Sequence, residues 1–336
     1  MTSTARADAA TVYLDLLGSG DRASALAFVR ELRASGMSAL EVMNTVVAPA
    51  QFRIGELWAE DAWSVAQEHA ATAVSEAVLN VLAADTPRPP ADSSPVLVSC
   101  VEQEWHALAA LLVAEHLRSN QMAVSYLGAN ASAEHLVRHI HAVGPRAVAL
   151  SCSLSASLPR VRRQIEAVRE TGTPVVVGGA AFDTEGRRAA VLGASGFART
   201  GADAVRVVQD LPSAVAPAPP LTHPGADEAW IVHADRESIA AQIRQRVLEA
   251  HTLDDDTATG WRQALSDHLP HLVGSVAGAL ISDDPRVLHE SLAWTDMVLD
   301  HRSAPDGLPA ELRGLLAESM RELPVASRLC AEAPTG

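Results

Sequence analysis

Apolar positions recur at two different periods along this chain of 336 residues, and the change of period divides it into parts. Through about residue 86 the spacing is helical throughout. Residues near 5–17 predict one helix. Asp21 can cap a second, with Leu26, Val29 and Leu32 on one face, and Ser38 a third, carrying Leu40, Met43, Val46 and Val47. Pro49 is expected to kink that third helix. A fourth runs from about Ser64 to Leu82, and short connections among four helices predict an antiparallel bundle over 1–86.

From 95 to 212 short apolar runs alternate with helical ones. Val96–Cys100, Ala123–Leu127, Ala147–Ser151, Pro174–Val177 and Gly196–Ala198 read as strands, and 106–119, 132–143, 157–171, 183–193 and 201–211 as helices. The alternation predicts a doubly wound parallel sheet of the flavodoxin or Rossmann type, which binds ligands beyond the carboxyl ends of its strands. Four pieces fall there: the loop with His106, the turn at Gly128, Ser151-Cys152-Ser153, and Gly178-Gly179.

Proline-rich stretches at 86–95 and 212–224 read as linkers on either side of this segment. Beyond the second, 226–336 is expected to be a separate all-helical domain. Ile239, Ile243, Val247 and Leu248 mark one helix there, and Trp261 to Ile281 a second, interrupted at Pro270. Pro285 opens a third, with Val287, Leu288, Leu292 and Val298, and Leu308 to Leu323 gives a fourth.

Composition narrows the chemistry. The formal net charge of −15 lacks the basic footprint of a nucleic-acid surface. All 26 basic residues are arginine, which removes Schiff-base chemistry and a phosphate-loop lysine. Cys100, Cys152 and Cys330 have no paired spacing, so neither a disulfide framework nor a zinc site is indicated. No apolar run reaches membrane length and the N-terminus has no signal-peptide core, so a cytoplasmic protein is expected. Glu104 two residues before His106 has a definite use: the carboxylate can hold one ring nitrogen while the other is offered to a metal.

On these residues the segment 95–212 resembles cobalamin-binding domains that pull the cofactor's own benzimidazole base off cobalt. In that family a motif Asp/Glu-x-His-x-x-Gly supplies the lower axial ligand, a Ser-x-Leu-like turn lines the buried nucleotide tail, and a Gly-Gly pair lets the tail approach the backbone. Glu104 and His106 match the first, Ser151 the second, and Gly178 and Gly179 the third; Ala109 and Ser153 depart from the pattern. A flavodoxin-like domain without a corrinoid would use the same glycines as ordinary turn residues.

Trp58, followed after nine residues by Glu68-His69, resembles the helical cap of CarH-like light-sensing transcriptional regulators, and Val65 also falls where that family has a valine. The resemblance implies that these residues enclose a 5′-deoxyadenosyl group on the upper face of cobalamin, an aromatic wall stacking on adenine and polar side chains bonding the ribose or base. The regulators carry a histidine directly after that tryptophan, which binds cobalt after light; here it is Ala59. His69, about 15 Å further along if helical rise is counted, is the other cap histidine, so water is favoured as the upper ligand after light. Their DNA-binding helix-turn-helix does not precede the cap here, so no direct nucleic-acid contact is expected.

The whole arrangement resembles photocobilins, whose third, globin-like domain holds a bilin beside the corrinoid. The His-rich third part (His251, His268, His271, His289, His301) offers Trp261, His268, His271 and Trp294 as bilin-contacting candidates, with arginines to pair two propionates. Cys330 has no pattern that supports a thioether. The expected protein is a non-enzymatic light sensor binding adenosylcobalamin with His106 as the cobalt ligand, and biliverdin as second chromophore. It is expected to be a homo-oligomer whose state depends on light. The alternative is a corrinoid carrier protein of a methyltransferase system.

Overall fold

The computed structural model describes residues 3–84, 93–251 and 259–333. The first linker therefore lies largely outside the described residues. The bundle forms from α1 (Ser3–Gly18), α2 (Arg22–Ala34), α3 (Ala39–Val42), α4 (Ala48–Ala59) and α5 (Val65–Ala83). Asp21 caps α2, and Ser38 and Ser64 make reciprocal capping boxes with Glu41 and Gln67. The disturbance expected at Pro49 appears as a π-helical turn, Met43–Val47, joining α3 to α4. Pro49 has no N–H to give the carbonyl four residues back, and the preceding Ala48 N–H reaches Met43 O, five residues back. The widened turn presents Asn44 to the next domain, where its Oδ1 bonds His116 Nε2 at 2.8 Å.

Five parallel strands follow, β1 (Val96–Cys100), β2 (Val124–Gly128), β3 (Ala147–Ser151), β4 (Val175–Gly178) and β5 (Gly196–Phe197), in the order β2-β1-β3-β4-β5. Each lies within a residue or so of its expected position. α6 (Ala107–Ser119) and α10 (Gly201–Asp210) cover one face. α7 (Ala133–Val143), α8 (Leu158–Glu170) and the short α9 (Arg187–Val191) cover the other. β1 and β3 are buried at every position, as a sheet covered on both faces requires. The order reverses between β1 and β3, and that switch point places the site.

The C-terminal part contains α11 (Ala226–Ala250), α12 (Thr259–Ser282), α13 (Arg286–His301), α14 (Leu308–Ser319) and α15 (Pro324–Ala331). Two expectations fail here. Pro270 does not interrupt its helix: α12 runs through it. And the last predicted helix ends at Ser319 instead of Leu323, with a further helix, α15, that was not expected opening at Pro324, a residue suited to a helix's first turn.

This part is not a free module. Its core is continuous with that of the sheet domain, from Leu97 and Val161 through Leu272 and Val276 to Leu316. α12 lies on the turn after β3, where a Cβ on Gly278 would stand 2.4 Å from Ser155 O. Arg188 of α9, 2% exposed, bonds Asp284 and the more exposed Glu290 at 2.8 Å each, and breaking the buried pair with Asp284 costs about 3–5 kcal/mol. The second linker is tied down as well, with Arg162 donating to Pro219 O at 2.6 Å and Arg169 to Ala216 O at 2.9 Å.

Candidate functional site

The loop leaving β1 turns sharply at Gln103, φ +63°, which brings Glu104 beneath the sheet end and leaves His106 at its rim. Glu104 is fully buried and accepts on both oxygens. Oε1 receives the His106 backbone N–H at 3.0 Å and the His106 ring Nδ1–H at 2.5 Å; Oε2 receives the N–H groups of Ser153 at 2.8 Å and Leu154 at 3.3 Å. Burial alone would raise this carboxyl, but the hydrogen bond and charge of His106 outweigh it and hold the group below the usual range. The same bond raises His106 above its ordinary value. With Nδ1 held, Nε2 is the nitrogen free to bind a metal, on a side chain 60% exposed. Among the described residues no three His, Cys, Asp or Glu side chains converge as a metal cage. One oriented imidazole suits a metal whose other positions a macrocycle fills.

Below this loop a cavity of about 530 Å³ opens at the switch point, within the range of small-molecule sites. Ser151, Gly178, Gly179 and Ala109 all line it, beside Val98, Ala149 and Thr200. The glycine pair is dictated by backbone: a Cβ on Gly178 would sit 2.4 Å from Ala198 O, and one on Gly179, at φ +108°, 2.3 Å from Cys152 O. Ala109 projects into the cavity at its rim, so its methyl narrows the slot and leaves it open. Gly128 is not among the lining residues; it ends β2, and the loop after it supports the site indirectly, Asn130 Oδ1 accepting from Gln103 N at 2.8 Å.

Asn44 and Ala48 of the bundle close the slot, and the same face of α4 continues through Gln51 and Gly55 to Trp58. Across from it on α5, Glu68 accepts from Thr72 Oγ1 at 3.0 Å and from the ring of His69, and Gln51 Nε2 donates to Thr72 at 2.6 Å. This relay leaves Gln51 Oε1 a buried acceptor with no partner among the described residues. Val74 and Val78 of α5 share a core with Leu108 and Leu111 of α6, the helix that opens directly after His106, so cap and loop lie side by side. Val65 and Trp105 are exposed apolar side chains, one on each of these elements, and His69 is 74% exposed. A face of small residues, a polar relay with an unmet acceptor, exposed apolar flanks and an oriented imidazole over a narrow slot fit a flat macrocycle with a buried tail. Between Ala59 and Val65 the chain turns back, so helical rise does not set the distance from Ala59 to His69.

Trp58 also meets the C-terminal domain. It stacks on Trp294 at 5.7 Å and meets His268 edge-on at 5.0 Å, with the Arg302 guanidinium 5.2 Å from its ring. Arg302 donates to the carbonyls of Trp58 at 2.9 Å and Ala59 at 3.1 Å. Burial pushes His268 down to about 4, and His271, 6.3 Å away, is lowered by burial too, with the His106 charge adding to it. His268, His271 and Trp294 thus converge on the cap. Trp261 does not: it is a core residue 1% exposed, packed against His251 and Arg262. Asn44, Ala48, His116, Gln51 and Thr72 were missed, because polar or small residues on an amphipathic face carry no signal until a neighbouring domain is in place.

Fold and site define a parallel-sheet domain capped by a helical bundle around a slot for a macrocycle with a tail. Comparisons with known proteins agree. Residues 94–209 match one B12 binding domain family and residues 10–83 a second, so the chain carries B12-binding domains over both cap and sheet. It is 32% identical over 145 residues to the HTH-type transcriptional repressor CarH of Myxococcus xanthus, a match over 42% of this chain and 48% of that protein. The chain thus spans about half the length of that relative. The Methanosarcina barkeri monomethylamine corrinoid protein shares the fold, with a TM-score of 0.52 and 17% identity over 59% of this chain and 96% of that one. The expectation of no nucleic-acid contact, drawn from charge and from the helix-turn-helix not preceding the cap, stands against the name of the first relative. Among the described residues no helix is long and apolar enough to cross a membrane.

Proposed function

We propose that the protein is a light sensor that binds adenosylcobalamin base-off, with His106 Nε2 as the lower cobalt ligand. The observation that carries this reading is the Glu104–His106 pair set over the slot and faced by the Trp58/Glu68 cap. Bound adenosylcobalamin would supply a cobalt–carbon bond that visible light breaks. Glu104 fixes the ring tautomer. The slot formed by Ser151, Gly178, Gly179 and Ala109 takes the nucleotide tail away from water. Gln51, Thr72 and Glu68 offer the upper group hydrogen-bonding partners, with Trp58, Val65 and His69 around it. α4 and α5 would close around the upper group of the bound cofactor, and the arrangement of these helices and the oligomeric state would depend on its presence. Ala59 points into the contact with the C-terminal domain, so the position directly after Trp58 would supply no side chain to the upper face of the bound cofactor. Biliverdin is the proposed second chromophore, against His268, His271 and Trp294. The output is regulatory, through a partner or, as the similarity to a repressor supports, through DNA.

A corrinoid carrier of a methyltransferase system is the second reading, favoured by the fold shared with the monomethylamine corrinoid protein. One experiment separates them: absorption and size-exclusion profiles, dark and lit, with adenosylcobalamin and with methylcobalamin. A sensor prefers the adenosyl form, and its profile shifts on illumination. Preference for methylcobalamin with no light-dependent shift in size would refute the sensor.

A further inference from the structure

The loop before His106, the start of α8 and helix α11 bring three arginines together. Two have carboxylates of their own: Arg163 pairs with Glu102, and Arg236 with Glu237 at 3.3 Å. Arg160 has none among the described residues. It is 7% exposed, and its hydrogen bond goes to the neutral Gln103 Oε1, which Arg236 Nη2 also approaches at 3.5 Å. Burial, helped by Arg236 and only partly offset by the charge of Glu102, pushes this guanidinium down to about 10. It also stands in the first turn of the 13-residue α8, where the helix dipole adds positive potential. His233, one turn before Arg236 on α11, is driven down to about 4 by burial and then by Arg160, Arg236 and Arg163. Its Nδ1 is buried with no partner among the described residues.

A buried guanidinium facing a second one and a neutral imidazole is costly by itself, and an oxyanion removes that cost. We propose that Arg160, Arg236 and His233 form an oxyanion site, shaped for one carboxylate of a small molecule held between the cobalamin domain and the C-terminal domain. The two guanidiniums offer forked donors that match two oxygens, and the His233 nitrogen can share the bond. The charges of Arg236 and Glu237 reach His271, so the site borders the cluster against which the second chromophore was placed. The net charge of −15 disfavours a polyanion and leaves a compact acid as the ligand. Biliverdin carries two propionates; naming it as the owner of the carboxylate rests on the reading above, whereas the oxyanion affinity does not.

The test uses the full chain and the probes biliverdin and its dimethyl ester, which lacks both charges, titrated by absorbance in the dark. The wild type should bind the acid about tenfold or more tightly than the ester, the loss of one charge-assisted bond. Arg160→Met should bind both alike, and Arg160→Lys should recover part of the preference. Equal affinities in the wild type overturn the proposal. If the wild type takes up neither form, the second-chromophore reading fails, and the site is judged on inorganic phosphate against chloride at equal ionic strength. A melting temperature raised by phosphate in the wild type and not in Arg160→Met supports it; no rise, or the same rise in both, overturns it. Without an anion Arg160→Met should melt no lower than the wild type, since it removes a buried charge that has no carboxylate paired to it. A lower melting point would mean Arg160 is a structural support, and would also overturn the site.

Discussion

Replacing Glu104 by Gln keeps size and burial and changes charge and hydrogen-bond polarity. The carboxylate accepts four N–H donors, two on each oxygen. Glutamine has one oxygen, so one side must give way. If the oxygen stays with Ser153 and Leu154, the new amide N–H₂ faces His106. The ring can then turn tautomer so that Nδ1 accepts, but the His106 backbone N–H has no such choice and loses its partner. One buried unpaired N–H costs about 1–3 kcal/mol. The tautomer change matters more, because it puts the proton on Nε2, the nitrogen meant for cobalt. The opposite rotamer spares His106 and strands two N–H groups beyond β3, at roughly twice that cost. Glu104→Gln should therefore fold with modest loss of stability, measured by denaturant melts, and lose the imidazole-ligated cobalamin absorption spectrum. A variant that keeps the wild-type base-off, histidine-ligated spectrum at full occupancy would refute the role of Glu104 as the group that sets the tautomer.

Three further outcomes are expected. Trp58→Ala should lower the preference for adenosylcobalamin over methylcobalamin and, by emptying a stacked contact, cost about 3–5 kcal/mol; equal affinity losses for the two cofactors would make Trp58 packing only. Gly179→Ala forces a Cβ to within 2.3 Å of a backbone carbonyl at φ +108°, where the dihedral alone costs about 1–3 kcal/mol, so cobalamin retention on a desalting column should fall with the melting point. His268, whose folded value of about 4 lies below the unfolded 6.5, binds a proton more weakly when folded; its contribution is intact above about pH 6.5 and is lost as pH falls towards 4. Following the contact of bundle and C-terminal domain by tryptophan fluorescence across that window, with His268→Gln as the flat control, checks the sign.

The elements were legible where a period was strong. The central strands were placed by runs such as Val96–Cys100, because a strand buried on both faces has few alternatives, and the half-buried β2 and β5 by their place in the alternation of strands and helices. Glu104, His106, Ser151 and the glycine pair were legible for a related reason: their types are dictated by local chemistry and by backbone contacts that no side chain survives. The π-helical turn was not, since Pro49 announces a disturbance without saying on which side it is absorbed. Nor was the uninterrupted α12, where packing over the turn after β3 overrides the proline's preference. Trp261 and Trp294 look alike in sequence, yet one is core and the other faces the cap. Only the packing of three domains separates them, and that information is spread over residues far apart in the chain. The buried Arg160 escaped for the same reason, as its environment is made by α11, some seventy residues later.

The residue after Trp58 shows how the parts constrain one another. Ala59 is 4% exposed and packed against Ala264 and Val298 of the C-terminal domain. An imidazole there would overfill a packed contact, at a cost of about 1–3 kcal/mol, or hold the two domains apart. An alanine at this position and a helical domain docked on the cap are therefore one physical choice. The docking also completes α4, whose terminal carbonyl at Ala59 receives the Arg302 guanidinium, while at Trp58 the same guanidinium joins the Asp61 backbone N–H on the carbonyl. A shift of α4 by more than about an ångström breaks both bonds and the Trp58–Trp294 stack together, since hydrogen bonds of this length tolerate little stretching. Whatever closes the cap thus tightens the C-terminal domain onto it, and by linkage whatever the C-terminal domain binds in its docked form tightens the cap by the same free energy.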